Sequence, residues 1–499
     1  MKLVFFCLLF SLFHLSFGQT FDYKYFSDST NLDLDLIEIT SDGGTIGIGD
    51  SVLLKTDNLG TIVWAKQIDS KDILSLDLDS DDNIYFLCQE EDSAGYKYSK
   101  ISKLNPDGFH MWTKNIGNGF DEVEYFDVFL ENDFEFYAGG GMKTDSVWHN
   151  IVSKYNYAGT EIWTRRLFHY YGDFVGKNTD IIKIDQSPSG KLFALGTLDT
   201  GAVVYKFNSD GGWHSFEAYN FKDSLIPIDL IANDIDDIQI LFNTYSFLNH
   251  SPERTTVKMQ INEYMDIQSS KEYSIDGSHL EGQDLEVYNE SCFILANETS
   301  SFGRTLIQRT NSAGDHDLAK LMQDQDVPQK GFDLEVMDDY SIRMTYDFEP
   351  DYESVLSQSN HAMQTNCSSY FDEIEIMDVT MTQHLATGLV FSAAYPTIQT
   401  GTFLSQELSI LMDENMCEGF SQIENNETSI NIYPNPATDI IHLESNDSEF
   451  EYTIYSLKGK LMNTGTENTL DVSDWPNGIY VLKFQDDSGI QNFKFTVIH

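Results

Sequence analysis

Apolar and polar residues alternate with a period of two through most of this chain, in short runs that stop at Asp, Asn or Gly turns. Ile73-Leu74-Ser75-Leu76-Asp77-Leu78 is one such run; an acidic turn and the more continuously apolar Ile84-Tyr85-Phe86-Leu87-Cys88 follow it. The first pattern suits a strand with one face buried, the second a strand buried on both. No 3.6-residue periodicity survives, and turn residues arrive too often for helices. The order of these runs repeats. Leu54-Lys55-Thr56-Asp57-Asn58-Leu59-Gly60, followed by Trp64, returns as Lys103, Asn105, Gly108 and Trp112, then as Lys154, Asn156, Gly159 and Trp163. Weaker copies carry Lys206, Lys258 and Arg309. The steps between these basic residues are 48, 51, 52, 52 and 51 residues. A period of about 50 marks a propeller or solenoid array.

Each unit reads as strand, Asp/Gly turn, strand, longer loop, strand with the Lys, Asn/Gly turn, strand with the Trp. Four antiparallel strands per unit make a propeller blade, and radial stacking buries both faces of each sheet. Copies of the acidic turn continue through Asp339 to Tyr346 and Thr387 to Ala394, while the Lys strand continues to Ser357 and near Met412. Eight copies can be counted. Phe21-Asp22-Tyr23-Lys24-Tyr25-Phe26 resembles a Trp-bearing strand without its partner, and the unit near Leu411 lacks that strand. The N-terminal strand is therefore expected to complete the last blade and cover two open edges at once. The expectation is an all-β chain with a β-propeller over residues 20–420, of eight blades, with seven as the alternative.

The repeat resembles the eight-bladed propellers shared by quinoprotein dehydrogenases and the outer-membrane assembly propeller lipoprotein. The likeness rests on the Trp nine residues after the Lys, as in Lys55 with Trp64, Lys103 with Trp112 and Lys154 with Trp163. It implies that each Trp docks one blade on the next. No vicinal Cys pair or carboxylate cluster matches a quinone and calcium site, so no cofactor and no metal ligand is assigned.

The start of the chain changes the picture from fold to address. Met1-Lys2 precedes the apolar run Leu3 to Phe13, which is too short to span a membrane, and Ser16-Phe17-Gly18 supplies small residues for cleavage before Gln19 or just after it. Residues 1–18 read as an export signal. Cys7 lies within the apolar run without the small residues expected before a lipidated cysteine. No later run of about 20 apolar residues follows.

Of the remaining cysteines, Cys88 and Cys292 sit in apolar strand patterns and read as small buried hydrophobes. Cys367 and Cys417 lie in polar turns one repeat apart, where a disulfide between neighbouring blades is one reading and free thiols the other. Lys and Arg number 30 against 80 Asp and Glu, a formal net charge of −50. Such a surface repels nucleic acids and anionic lipid heads and favours solubility and a monomer.

Residues 421–428 read as a polar linker. Beyond them Tyr433-Pro434-Asn435-Pro436, Lys458-Gly459-Lys460 and Asn477-Gly478-Ile479-Tyr480 punctuate alternating strands, the pattern of a small β-sandwich over 429–499. These phrases closely resemble the type A C-terminal sorting domain of the type IX secretion system of Bacteroidota. The resemblance implies passage across the outer membrane, handling of residues 429–499 by the secretion machinery, and a secreted or cell-surface destination.

Nothing in the chain declares a chemistry. The 12 His are scattered, and no His-Glu-x-x-His, Gly-x-Ser-x-Gly or phosphate loop is present. Asp77, Asp79, Asp81 and Asp82 superficially suggest a calcium loop, but they lack its Gly and distal Glu and fall on the turn repeated in each blade, so an acidic hairpin is expected. Phe168-His169-Tyr170-Tyr171-Gly172-Asp173-Phe174 could form an aromatic platform on one face or pack on the propeller. No catalytic residue is assigned. The functional expectation is a binding or adhesion propeller for a carbohydrate, peptide or protein, with an extracellular enzyme, quinoprotein-like or polysaccharide-cleaving, as the alternative.

Overall fold

The computed structural model describes residues 21–26, 34–413 and 431–497 apart from short segments within the last two spans, the longest being 170–179. The expected export signal, Cys7, Cys367, Cys417 and residues 170–174 lie outside the described residues. Two compact units divide the chain between Cys417 and Glu418.

The first unit contains seven sheets, and in each the consecutive strands of one repeat lie side by side. Blade 1 is Leu36–Ile39, Thr45–Gly49, Val52–Thr56 and Ile62–Ile68, and blades 2 to 6 repeat the order up to His316–Met322. The first strands of successive blades touch one another in a closed circuit, blade 7 returning to blade 1. They therefore line the axis of the ring. The apolar clusters lie between blades: Phe193 and Val204 of blade 4 pack with Ile240 and Val257 of blade 5, all fully buried. Burial against a neighbour on each side is what the apolar second strands require, at about 1.5–3 kcal/mol for each large side chain.

The recurring Lys, Gly and Trp stitch blade to blade. Trp112 Nε1 donates to the Tyr157 carbonyl at 2.9 Å, and Trp64 Nε1 to that of Pro106 at 3.2 Å, each acceptor lying on the turn of the following blade. Gly159 on that turn has φ +69°, and a Cβ there would stand 3.2 Å from the Trp112 ring and 2.8 Å from the Lys114 stem. The turn thus requires glycine for its backbone and for its neighbour. Lys154 pairs with Glu135 at 2.8 Å and donates to the Ser209 carbonyl of blade 4 at 3.4 Å, while Lys258 reaches the Ser312 carbonyl of blade 6 at 2.6 Å. Where Trp is missing, tyrosine does its work: Tyr219 Oη donates to the Met265 carbonyl and Tyr273 Oη to that of Gly314.

Blade 7 shows how the ring closes. Its own stretch supplies Gln329–Val336, Ile342–Phe348 and Glu353–Gln358, and its fourth strand is Phe21–Phe26, with Tyr23 opposite Leu356. Fully buried Tyr25 donates to the Gly60 carbonyl of blade 1 at 2.5 Å, the same bond that Tyr219 and Tyr273 make elsewhere. Arg343, 1% exposed, adds bonds to Thr45 Oγ1 and the Asn58 carbonyl of blade 1.

The ring has seven blades, not eight. Ser357 is the third-strand position of blade 7, opposite Met344, but the copies at Thr387 to Ala394 and near Met412 belong to another device. From Ser368 to Asp413 the chain runs back around the ring as a belt. Its short strands add to the outer edges of blades 6, 5, 4, 3, 2, 1 and 7 in turn: Ser368–Tyr370, Ile374–Asp378, Thr382–His384, Leu389–Ala393, Ile398–Thr400, Ser405–Glu407 and Leu411–Asp413. The belt alternates apolar and polar residues as a blade does, which is why it reads as one. Strands of three to five residues, each on a different blade, cannot form a sheet together. They instead cover backbone groups that an outer edge would leave open, and Met381, 5% exposed, joins the core between blades 4 and 5.

The second unit is a sandwich of a three-stranded sheet (Asn431–Tyr433, Ile440–Glu444, Thr469–Asp471) and a four-stranded one (Glu451–Ser456, Leu461–Gly465, Gly478–Asp486, Gly489–Val497). Ile441, Leu443, Ile454, Val472 and Leu482 are buried between them. Tyr480 Oη donates to the Pro476 carbonyl at 2.6 Å and packs on Trp475, which ties the Asn-Gly-Ile-Tyr strand to the turn before it.

Candidate functional site

Among the described residues, polar groups gather in the axial channel and in a cleft on one face. The channel is built by the first strands, Leu36–Ile39, Ile73–Leu78, Val123–Asn132, Ile181–Gln186, Ser224–Ala232, Leu280–Tyr288 and Gln329–Val336. Six of them carry a bulge, immediately followed by Ser75, Asp127, Lys183, Asp229, Asp284 or Asp333. An innermost strand has one row of N–H groups with no strand to pair with. The residue after the bulge supplies the acceptor for the next blade: Asp127 takes Ile184 N–H at 2.7 Å, Asp284 takes Leu334 N–H at 2.9 Å, and Asp333 takes Ile37 N–H at 2.6 Å. Ser75 and Asp229 do the same for Val128 and Leu285. Two residues further along, Asp77 and Asp185 accept from Leu130 and Ala232.

In blades 1, 6 and 7 the position of Asp77 is held by Glu38, Glu286 and Glu335. Burial, first, and then neighbouring carboxylates push all three well above the usual carboxylate range. Burial likewise moves Asp77 and Asp185 to about 7 and Asp333 to about 6. Lys183 stands 3.4 Å from Asp229, whose charge is the largest cause holding the lysine well above its ordinary range.

These carboxyl groups keep protons in the folded ring that they release in the unfolded chain at lower pH. Their contribution to stability is therefore greatest near pH 4 and is lost as pH rises through 6 and 7. Lys183 does not oppose this, because its raised value matters only above the ordinary lysine range. Carboxylates held low, such as Asp42 and Glu131, lose their benefit only in stronger acid. The melting temperature is expected to be higher at pH 5.5 than at pH 8, with Glu335→Gln reducing the difference. Thermal unfolding across that interval would refute the account if the melting temperature rose.

The cleft lies between blades 2 and 3, on the face that carries the blade-to-blade connections, and has a volume of ≈ 560 Å³. The connection from blade 1 supplies Asp69 and Asp72; the second and third strands of blade 2 supply Gln89, Glu90, Glu91 and Lys97; the first strand of blade 3 supplies Glu124. Its apolar lining is Leu74 and Phe126, the two residues that the bulges displace from their ladders. Bulges re-aim side chains in this way. Glu90 holds Lys100 at 2.8 Å and Tyr98 Oη at 2.7 Å, and Lys97 stands 3.2 Å from Glu124. Nearby, burial and then the charge of Glu124 raise Asp180 to about 6.

The acidic run noted in the sequence is structural. Asp79 caps its turn by accepting from Asp81 and Asn83 N–H and pairs with Lys103 at 2.8 Å. Burial alone would raise its carboxyl, but those donors outweigh it and hold it below the ordinary range. Asp82 accepts from Ser41 of blade 1, and Asp77 faces blade 3. Trp64, Trp112 and Trp163 pack between blades, and Cys88 and Cys292 are buried free thiols, with burial pushing Cys88 up to about 12. The sequence reading missed the cleft. Its one local sign is the phase slip in alternation at Leu74 and Phe126.

Residues 431–499 match the family described as the secretion system C-terminal sorting domain. This is a type IX sorting domain. The protein that carries it is accordingly a secreted or cell-surface propeller, and the sorting domain is the part that meets the secretion machinery. Among the described residues no helix is long and apolar enough to cross a membrane. No curated protein matches the chain.

Among solved structures, the extracellular domain of a hybrid two-component system from B. thetaiotaomicron is similar at 10% identity and a TM-score of 0.38. The match covers 94% of this chain, which spans 56% of that one. The Nup133 β-propeller domain of Vanderwaltozyma polyspora (TM-score 0.33, 10% identity) and the WD40 domain of SCAP from fission yeast (0.32, 9%) each match over 68% of this chain. The matches take in 97% and 98% of their own lengths.

Proposed function

We propose that the exported propeller is a binding protein whose ligand sits in the cleft between blades 2 and 3. The observation that carries this reading is the cleft itself, where two bulges turn Leu74 and Phe126 toward a cavity rimmed by polar groups. Ligand sites commonly combine an apolar bed with a few placed polar groups. The channel supports binding over catalysis, because most of its aspartates are committed to backbone N–H groups of the neighbouring blade.

Calorimetry of the exported chain against glycan and peptide panels tests the reading, with Phe126→Ser as the control. A ligand that binds the wild type and at least tenfold more weakly to the variant, with melting temperature retained, supports the cleft. Undiminished binding by Phe126→Ser, or steady turnover of the bound compound, would sink it.

A further inference from the structure

We propose that Asp284 and Asp333 form a proton-operated latch where the ring closes, holding blades 6, 7 and 1 together while the pair shares a proton and letting that seam open locally once the proton is lost. The latch is independent of any ligand in the cleft.

Everywhere else the chain passes directly from one blade into the next. Residues 329–358 have no such link to blade 1. The ring closes there through Phe21–Phe26 on Glu353–Gln358 and, at the axis, through Asp333 on Ile37 N–H. Asp284 follows the bulge of blade 6 and Asp333 that of blade 7. Asp284 Oδ2 accepts Leu334 N–H at 2.9 Å, the amide next to Asp333, and Asp333 Oδ2 accepts Ile37 N–H at 2.6 Å. The two carboxyl groups, each with an oxygen already on the backbone, also hydrogen-bond to one another.

A carboxylate only accepts, so that bond requires a proton between them. The proton belongs on Asp284, which burial and then the charge of Asp333 push well above the usual carboxylate range. Burial lifts Asp333 only to about 6, because Ile37 N–H and Asp284 both donate to it. At other junctions the equivalent aspartate meets a different partner: Asp127 takes Ser75 Oγ at 3.0 Å, and Asp229 faces Lys183 at 3.4 Å.

The surroundings offer no substitute for the proton. Beside the pair stand Glu286 of blade 6, Glu335 of blade 7, Glu38 of blade 1 and Asp229 of blade 5, all acids. Lys183 of blade 4 attracts both aspartates, but it lies against Asp229. On the second strands behind them, Arg343 is spent on Gln358, Thr45 and the Asn58 carbonyl, and Glu298 is paired with Arg304. Loss of the shared proton therefore sets two like charges against each other in a place that salt screens poorly. Asp333 gives up its own proton near pH 6 without harm, since a carboxylate accepts from Asp284 the more strongly. The contribution of Asp284 is fully present near pH 4 and is lost as pH rises through its raised value.

Amide exchange of the exported chain, read by mass spectrometry and corrected for intrinsic rates, tests the latch in Leu36–Ile39 and Gln329–Val336, with Ile181–Gln186 as reference. Between pH 6 and pH 9 the two seam strands are expected to lose about tenfold more protection than the reference. Asp284→Asn should remove that difference, because its amide can donate to Asp333 at any pH while its oxygen takes Leu334 N–H. Asp333→Asn, which leaves one charge in place of two, should reduce it, and Asp127→Asn should leave it unchanged. Seam and reference strands losing protection together, or neither losing any, would refute the latch. So would a seam that opens in Asp284→Asn as it does in the wild type. Should Asp284→Asn fail to fold, Asp333→Asn decides by the same criterion.

Discussion

Deleting Phe21–Phe26 is expected to abolish cooperative folding of the first unit. This strand pairs with Glu353–Gln358 on one side and with Leu411–Asp413 on the other, so its loss opens the ring and frees the end of the belt together. It also removes Tyr25, fully buried against blade 1 and bonded to the Gly60 carbonyl. A large buried aromatic cut to alanine costs about 3–5 kcal/mol on its own, against a total stability of roughly 5–15 kcal/mol. Circular dichroism and limited proteolysis should show a chain without a sharp transition, whereas Tyr25→Ala should melt cooperatively at a lower temperature. A deletion variant that keeps the wild-type melting temperature would show that the blades close without this strand.

Gly140→Val is expected to destabilise the fold by on the order of 4 kcal/mol and to remove ligand binding with it. Gly140 stands opposite Tyr125, where the first strand of blade 3 bulges, and a Cβ there would lie 2.0 Å from the Glu124 carbonyl oxygen and 2.5 Å from Tyr125 Cα. Neither is a side chain that can turn aside. Relieving the clash means moving the bulge, and the bulge places Phe126 in the cleft and Asp127 against Ile184 N–H. Gly190→Asn is the control: its φ is +79° and a Cβ would meet nothing within 4 Å, so only a backbone cost of about 1 kcal/mol is expected. Denaturant unfolding of the two variants should separate them clearly; equal stabilities would contradict the packing described around Gly140.

Much of the blade was legible because its chemistry is local. Lys103, Asn105, Gly108 and Trp112 recur at fixed spacing since one turn must be capped, kept left-handed and covered by its neighbour's ring, and each demand selects a residue type. The N-terminal strand was legible for a related reason: it alternates aromatic residues, with Phe21 at the place that Trp64 holds in blade 1 and Tyr25 four residues beyond it. The blade count was not. Residues 387–394 and 411–413 alternate as blade strands do, and alternation records that a strand is half buried without naming its partner. The channel aspartates were visible as acids, but their bonds to Ile184, Leu334 and Ile37 join residues about 50 positions apart or, at closure, nearly 300. The cleft was hidden because it depends on two single-residue slips in register, each too small to disturb the repeat.

The belt also decides how this protein meets mechanical load. Tension drawn in through residues 414–430 arrives first at Leu411–Asp413, then at Ser405–Glu407 and Ile398–Thr400, so the strap must peel from blade after blade in sequence. Each release spends work on only a few backbone bonds and pays out a short length of chain. The four-stranded sheets beneath remain latched by the early strand Phe21–Phe26 on Glu353–Gln358. Under such a load the strap is expected to yield stepwise before any blade is pulled open.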